Sequence, residues 1–138
     1  MKLILSCLFV MAISVPLMVA GAVAVAVAAD PAHVDKLKKT KRCRSCDLRG
    51  ANLKGAVLNG ADMKYAHLDC ANLRHAKLRG VNFVRASLFN ADLRHADLRK
   101  ANLTGADLGG ASLAQAKFCK TIMPDRTVRN DHCSKKRP

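Results

Sequence analysis

The sequence contains no glutamate and no tryptophan, and aromatic residues make up only 4% of its 138 residues. Tyr65 and Phe89 are the only aromatic side chains that we expect at the surface for stacking. Because proteins bind single-stranded nucleic acids largely by stacking bases on aromatic rings, this scarcity argues against a nucleic-acid partner. No nucleophile with its base, phosphate-binding loop or acid/base pair stands out either, so the sequence predicts neither an enzyme nor a cofactor site.

A long uncharged segment lies at the start of the sequence. Residues 3–29 carry no charge, and they end in small residues just before Asp30. We therefore predict a signal peptide over residues 1–29 and an exported protein, periplasmic or secreted. The alternative is a membrane anchor over residues 3–29, because 27 uncharged residues are long enough to span a bilayer. The basic cluster from Lys36 to Arg44 would hold the rest of an anchored chain in the cytoplasm.

Residues 46–120 divide without a gap into fifteen five-residue units. The first position is Ala in thirteen of these units, with Cys46 and Val81 as the exceptions, and the third is always Leu, Met or Phe. A period of five would spread the third-position side chains around a straight helix and alternate them across a flat strand. The pattern therefore predicts a chain that bends inward once per unit and forms stacked coils, a solenoid.

The third-position side chains are the predicted core of this solenoid. They are Leu48, Leu53, Leu58, Met63, Leu68, Leu73, Leu78, Phe83, Leu88, Leu93, Leu98, Leu103, Leu108, Leu113 and Phe118. Val81 and Phe83 depart from the pattern within one unit, so we expect the middle coil to bulge or to pack more tightly there.

These units resemble the pentapeptide repeat family, whose consensus A(D/N)LXX they match at both diagnostic positions. The resemblance implies an all-β fold, a right-handed quadrilateral β-helix with four units per coil, so that fifteen units make about four coils. The best-known members of the family are fluoroquinolone-resistance proteins that resemble DNA and bind DNA gyrase. Gyrase mimicry is not expected here, because it requires a long and negatively charged column.

The second position of most units is Asp or Asn. We interpret these side chains as local hydrogen-bonding groups at the corners of the coil rather than as catalytic carboxylates. The set comprises Asp47, Asn52, Asp62, Asn72, Asn82, Asp92, Asp97, Asn102 and Asp107.

Two shorter segments flank the repeats. Residues 30–45 are predicted to form a basic N-terminal cap with a short helix, because Asp30 suits an N-cap and Pro31 the first helical position. Residues 121–138 are predicted to form a C-terminal cap and a basic tail. This segment resembles the TxMPDG tail of many exported or membrane-associated pentapeptide repeat proteins. Arg126 replaces the glycine here, so a turn that needs a positive φ would be strained.

Five cysteines follow the leader, and in an exported protein they are predicted to form disulfides. Cys43 and Cys46 lie at the start of the repeats, and Cys119 and Cys133 lie at the end, so two bridges would clamp the two ends. Cys70 is predicted to be a free thiol or to join two chains. The alternative for Cys43 and Cys46 is a redox pair or half of a zinc site, although the inward position of Cys46 argues against it.

The histidines do not predict a metal site. His75 and His95 are one coil apart, but two imidazoles on an outer face are more often plain surface residues. His67 and His132 complete no ligand set with them.

Positive charge dominates the surface, with a formal net charge of +14. If residues one coil apart stack, the basic side chains fall mainly on two faces, and the candidate contact face consists of Lys54, Arg74, Arg94, Arg79, Arg99 and Lys100. Lys77, Lys117 and Lys120 lie on the same side. Such a stripe suits an anionic polymer, an anionic membrane surface or nucleic acid, and it also suits a merely solvated face.

The sequence therefore predicts an exported, non-enzymatic solenoid that serves as a rigid structural or protein-interaction module. The alternative is a cationic binder of an anionic envelope polymer, of lipid or of nucleic acid, and the third hypothesis is a thiol-dependent redox protein. No small-molecule substrate is predicted, and the oligomeric state stays open.

Overall fold

The computed structural model describes residues 28–133, so nearly all of the predicted leader lies outside the described residues. The described part contains one helix, α1 (Pro31–Thr40), and two short strands, β1 (Thr121–Ile122) and β2 (Val128–Arg129). No helix in this range is both long and apolar enough to cross a membrane.

The repeated segment is built from single parallel bridges rather than from long strands. Thirteen such bridges each join two residues that lie twenty apart in the sequence, from Arg42 with Asp62 to Asn102 with Ile122. Each bridge carries backbone hydrogen bonds in both directions: Leu48 N donates to His67 O at 2.7 Å, and His67 N donates to Cys46 O at 2.9 Å.

The bridges fall into four columns, which start at residues 42, 47, 52 and 57. Twenty residues thus make one turn of the backbone, and each turn carries four bridge positions. The bridges include residues 42 and 122, so the bridged segment extends beyond the predicted limits of 46–120 at both ends.

Every fifth residue from Ser45 to Lys120 has a positive φ, and this left-handed residue bends the chain at the end of each unit. The backbone amide of the residue that follows closes the turn with a hydrogen bond. For example, Ala51 N donates to Leu48 O at 3.0 Å. Six of these sixteen positions are glycine and ten are not, although left-handed backbone is costly for a residue with a Cβ.

The third-position side chains fill the interior. Thirteen of the fifteen predicted core residues are fully buried, and Leu108 and Leu113 are partly buried. Both lie in the last turn, where no further turn stacks above them. The unit with Val81 and Phe83 is accommodated without exposure, since both side chains are completely buried.

Helix α1 lies at the start of the bridged segment. Asp30 is its N-cap and accepts a hydrogen bond from Ala32 N, and Pro31 is its first residue. The helix ends at Thr40, because Lys41 adopts a left-handed conformation with φ of 55°. Leu37 is fully buried, so the helix packs its apolar side against the interior.

The C-terminal segment folds back over part of the last turn. Strand β1 pairs antiparallel with β2, and Thr121 occupies an inward position where it donates a hydrogen bond to Leu98 O. The guanidinium of Arg129 lies 4.0 Å from the ring centroid of Phe118. Arg126 has a φ of 68°, so this turn does place an arginine in the left-handed region.

The five cysteines among residues 28–133 are disulfide-bonded. Cys43 is bonded to Cys46, and Cys119 is bonded to Cys133, so a disulfide lies at each end of the bridged segment. Cys70 is also disulfide-bonded. The prediction of a free thiol at Cys70 is therefore wrong, and residues 28–133 contain no free cysteine.

Candidate anion-binding surface

The second-position Asp and Asn side chains act locally, as interpreted. In each case Oδ1 accepts a hydrogen bond from the backbone amide two residues on, for example from Arg74 N to Asn72 at 3.2 Å. All nine predicted residues do this, namely Asp47, Asn52, Asp62, Asn72, Asn82, Asp92, Asp97, Asn102 and Asp107. The hydrogen-bonding part of that interpretation is confirmed.

Where the second residue is Asp and the fourth is Arg, the two side chains also form an ion pair. The Asp92 carboxylate accepts from Nε and Nη2 of Arg94 at 2.8 and 2.6 Å, and Asp97 holds Arg99 at the same distances. Asp47 holds Arg49 in the same way. These arginines are therefore largely neutralised within their own units.

The ion pairs depress the pKa values of the carboxyl groups. The Arg49 hydrogen bond lowers the pKa of Asp47 to about 2, although burial acts in the opposite direction. The pKa values of Asp92 and Asp97 are lowered for the same main reason, the hydrogen bond from the paired arginine. These carboxylates therefore stay ionised well below neutral pH.

The four bridge columns define four faces, numbered here in chain order from the unit that begins at Cys46. The third face comprises the units that begin at residues 56, 76, 96 and 116, and it has six basic residues against one acidic residue. The first face, with units beginning at 46, 66, 86 and 106, has one basic and three acidic residues. Positive charge is thus concentrated on one side of the coil.

The structure divides the predicted contact residues into two groups. Lys54, Arg79 and Lys100 are exposed, and no carboxylate lies within ion-pair distance of them in the described part of the chain. Arg94 and Arg99 belong to the ion-paired group instead. Because Asp-Leu-Arg occurs in the units concerned, the sequence already carried a signal for this pairing.

Arg74 is intermediate between these groups. Its Nε lies 3.9 Å from Asp92 Oδ2, a carboxylate already engaged by Arg94, and this Nε makes no hydrogen bond within the described residues. This Nε is itself buried, so it is not exposed to an incoming anion, and Arg74 is paired only loosely with Asp92.

A stacked histidine pair lies at the corner between the second and third faces. The rings of His75 and His95 are parallel within 10°, with centroids 4.6 Å apart. Partial desolvation lowers the pKa of His75, and the neighbouring His95 and Arg74 lower it further. The lowered pKa favours the neutral form of the His75 imidazole. Within residues 28–133 no group of three potential metal ligands occurs.

A further basic site lies outside the predicted contact face. Lys36, Arg42, Arg44 and Asp62 line a concavity of about 650 Å³ between helix α1 and the first turn. The sequence analysis did not predict this site. The basic residues after the leader can be recognised in the sequence, but the sequence does not show that Asp62, from the next turn, lies beside them.

Comparison with known proteins agrees with this organisation. A family model described as "Pentapeptide repeats" matches eight copies over residues 42–80, 66–105 and 96–124. No curated protein matches the chain. Among solved structures, alr5209, a pentapeptide repeat protein from Nostoc PCC 7120, is 34% identical over 78% of this chain and 90% of its own, with a TM-score of 0.65.

Two other solved structures are similar over a shorter range. A pentapeptide repeat protein of the Arabidopsis thaliana thylakoid lumen is 30% identical over 60% of this chain and 57% of its own, with a TM-score of 0.54. HetL, from Nostoc PCC 7120, is 40% identical over 59% of this chain, with a TM-score of 0.40, and the chain spans only 40% of its length. The family match covers well over half of the sequence and includes every bridge column, and the chain belongs to the pentapeptide repeat family.

Proposed function

We propose that this chain is an exported, non-enzymatic, right-handed quadrilateral β-helix that serves as a rigid interaction module and binds an anionic partner through its third face. The observation that carries this proposal is the charge asymmetry between the third and first faces. A positive face attracts anions, and a rigid scaffold presents its charges without a large ordering cost.

The unpaired charges of the third face are arranged over successive turns. Lys77 and Lys117 project from bridge positions, Arg79 lies two residues after Lys77, and Lys100 and Lys120 lie at turn positions. Adjacent strands are about 4.8 Å apart, so a linear polyanion that lies along the column could contact several of these side chains at once. Only Arg99 of this face is committed to an internal carboxylate of its own unit.

The chemistry favours an acidic polymer of the cell envelope over DNA gyrase or nucleic acid. A gyrase-binding DNA mimic needs a negative surface, whereas this one is positive, and aromatic side chains for base stacking are scarce. The similar Arabidopsis protein belongs to the thylakoid lumen, which supports a function outside the cytoplasm.

Salt-dependent retention on heparin tests the proposal. We expect the triple variant Lys77→Gln/Arg79→Gln/Lys100→Gln to elute at clearly lower salt. The slope of log affinity against log salt should fall by about one for each cation that no longer pairs with the polymer. Its control is Lys64→Gln/Arg85→Gln/Arg126→Gln, which removes the same charge from outside the third face.

The two variants have equal net charge. If retention depends on net charge alone, both will elute at the same reduced salt concentration, and this result would contradict a specific binding face. Equal retention of both variants and the unchanged protein would favour the purely structural module. Circular dichroism melts establish that each variant is folded.

A further inference from the structure

The concavity between helix α1 and the first turn combines residues from two turns of the fold. Lys36 comes from the helix, Arg42 and Arg44 flank the disulfide-bonded Cys43, and Asp62 comes from the next turn. Three basic residues and one acidic residue therefore line the concavity. This site lies on the fourth face and the helix, away from the third face.

Arg44 is held in place without being neutralised in the manner of Arg94. Its Nε alone donates to the Asp62 carboxylate, at 2.6 Å, whereas Arg94 uses two nitrogens on two oxygens. The Nη groups of Arg44 are not needed for this contact. Asp62 stays ionised to hold Arg44, since its pKa is lowered: burial opposes the shift, but hydrogen bonds from Arg44 and from the Lys64 amide outweigh it.

The backbone around the site is fixed by several contacts. Arg42 is bridged to Asp62, and Cys43 N donates to Asp62 O at 2.8 Å. The hydroxyl of Thr40 donates to Lys36 O and accepts from Arg42 N, which ties the end of the helix to the first turn. The cations are thus presented on a preorganised backbone, which reduces the ordering cost of binding.

From this geometry we propose that the concavity is a binding site for a phosphate group. Arginine and lysine are the side chains that bind phosphate oxygens most strongly, and the excess of two positive charges is left for the ligand to neutralise. A volume of about 650 Å³ accommodates the phosphate together with the group that carries it. The source is either a free phosphate or an anionic lipid headgroup, and both present the same oxygens.

Titration of the full chain in a nonionic detergent with inorganic phosphate tests the site, with amide chemical shifts as the readout. Saturable shifts are expected around Lys41 and Cys43. Lys36→Gln and Arg42→Gln should each weaken binding about tenfold, because each variant removes a charge-assisted hydrogen bond. The matched controls are Lys38→Gln and Lys39→Gln, which remove the same charge from the same helix but do not line the concavity.

Asp62→Asn supplies a test in the opposite direction. Asn stands at the equivalent position of the next two turns, as Asn82 and Asn102, so the variant should fold. It removes the competing negative charge but keeps an amide oxygen that can accept the hydrogen bond from Arg44 Nε, so we expect phosphate to bind several-fold more tightly. Weaker binding in this variant would contradict the proposal.

Mixed micelles distinguish the two sources of phosphate. If phosphatidylglycerol micelles compete with inorganic phosphate and phosphatidylcholine micelles do not, the ligand is a lipid headgroup. If neither competes, it is a free phosphate. The proposal is overturned if inorganic phosphate causes no saturable shift, or if the Lys38 and Lys39 controls lose as much affinity as the Lys36 and Arg42 variants. Heparin retention through the third face is a separate measurement and can fail or succeed independently.

Discussion

At the scale of single residues, the fifth position of each unit has the most restrictive backbone conformation. Its left-handed backbone suits glycine, yet ten of the sixteen copies between Ser45 and Lys120 carry a side chain. In five of these ten units a second-position Asp or Asn supports the turn, because its Oδ1 accepts from the amide that precedes the left-handed residue, as Asp92 accepts from Arg94 N before His95. Arg126, which lies outside the repeats, also adopts a left-handed backbone conformation, with φ of 68°.

Arg126→Gly should therefore stabilise the protein by about 1 kcal/mol, because glycine adopts positive φ without steric cost. The control is Arg126→Ala, which removes the same charge but keeps a Cβ, and it should leave the stability nearly unchanged. Chemical denaturation of both variants measures the difference. Equal stabilities of the Gly and Ala variants would show that the left-handed turn is not strained.

At the scale of elements, both ends of the bridged segment are held by a disulfide and a cap. The Cys43–Cys46 bridge joins residues three apart, and its two residues are buried. The Cys119–Cys133 bridge joins residues fourteen apart and attaches the tail, which is also held by hydrogen bonds such as His132 N to Phe118 O at 2.8 Å.

Cys119→Ser/Cys133→Ser should cost more stability than Cys43→Ser/Cys46→Ser, since the longer loop restricts the unfolded chain more. The chain-entropy model gives about 3 kcal/mol for a loop of this length. Under native conditions a reductant should also open Cys119–Cys133 first, because both residues are only half-buried.

Timed alkylation followed by mass spectrometry measures this order of reduction. Rapid and reversible reduction of Cys43–Cys46 would contradict a structural role and favour the redox hypothesis. Such exchange requires sulfur atoms that an external thiolate can reach.

At the scale of the whole molecule, each turn of the coil contacts only its neighbours, so the position along the column decides how buried a core residue is. Leu93 and Leu113 occupy the same position on the second face, one turn apart. Leu93 is fully buried between turns, whereas Leu113 in the last turn is only partly buried. Stability should therefore depend on the turn as well as on the residue type.

Leu93→Ala is expected to destabilise the protein by about 3 kcal/mol, through reduced burial and the cavity left behind. Leu113→Ala should cost about 1 kcal/mol, because less apolar surface is withdrawn from water there. Thermal melts followed by circular dichroism give both values. Equal losses of stability would be inconsistent with an open last turn.

The sequence alone determined the five-residue period, the set of side chains that point into the core, and the local hydrogen bonds of the second-position Asp and Asn. These features are set by residues within a single unit: a five-residue period demands one bend per unit, and Asp or Asn at the second position reaches an amide two residues on. Helix α1 was predictable for the same reason, since Asp30 and Pro31 are local signals. The predicted basic stripe followed from the period as well.

Only the tertiary structure decided which charges from different turns meet. Arg74 Nε lies 3.9 Å from Asp92 Oδ2, a carboxylate that comes one turn later in the chain, whereas Arg94 and Arg99 pair within their own units, as the Asp-Leu-Arg pattern indicates. The concavity at Arg44 arises because Asp62 follows one turn later in the chain and lies beside it in space. Surfaces of this kind depend on the stacking of turns, which brings together residues that no local pattern connects.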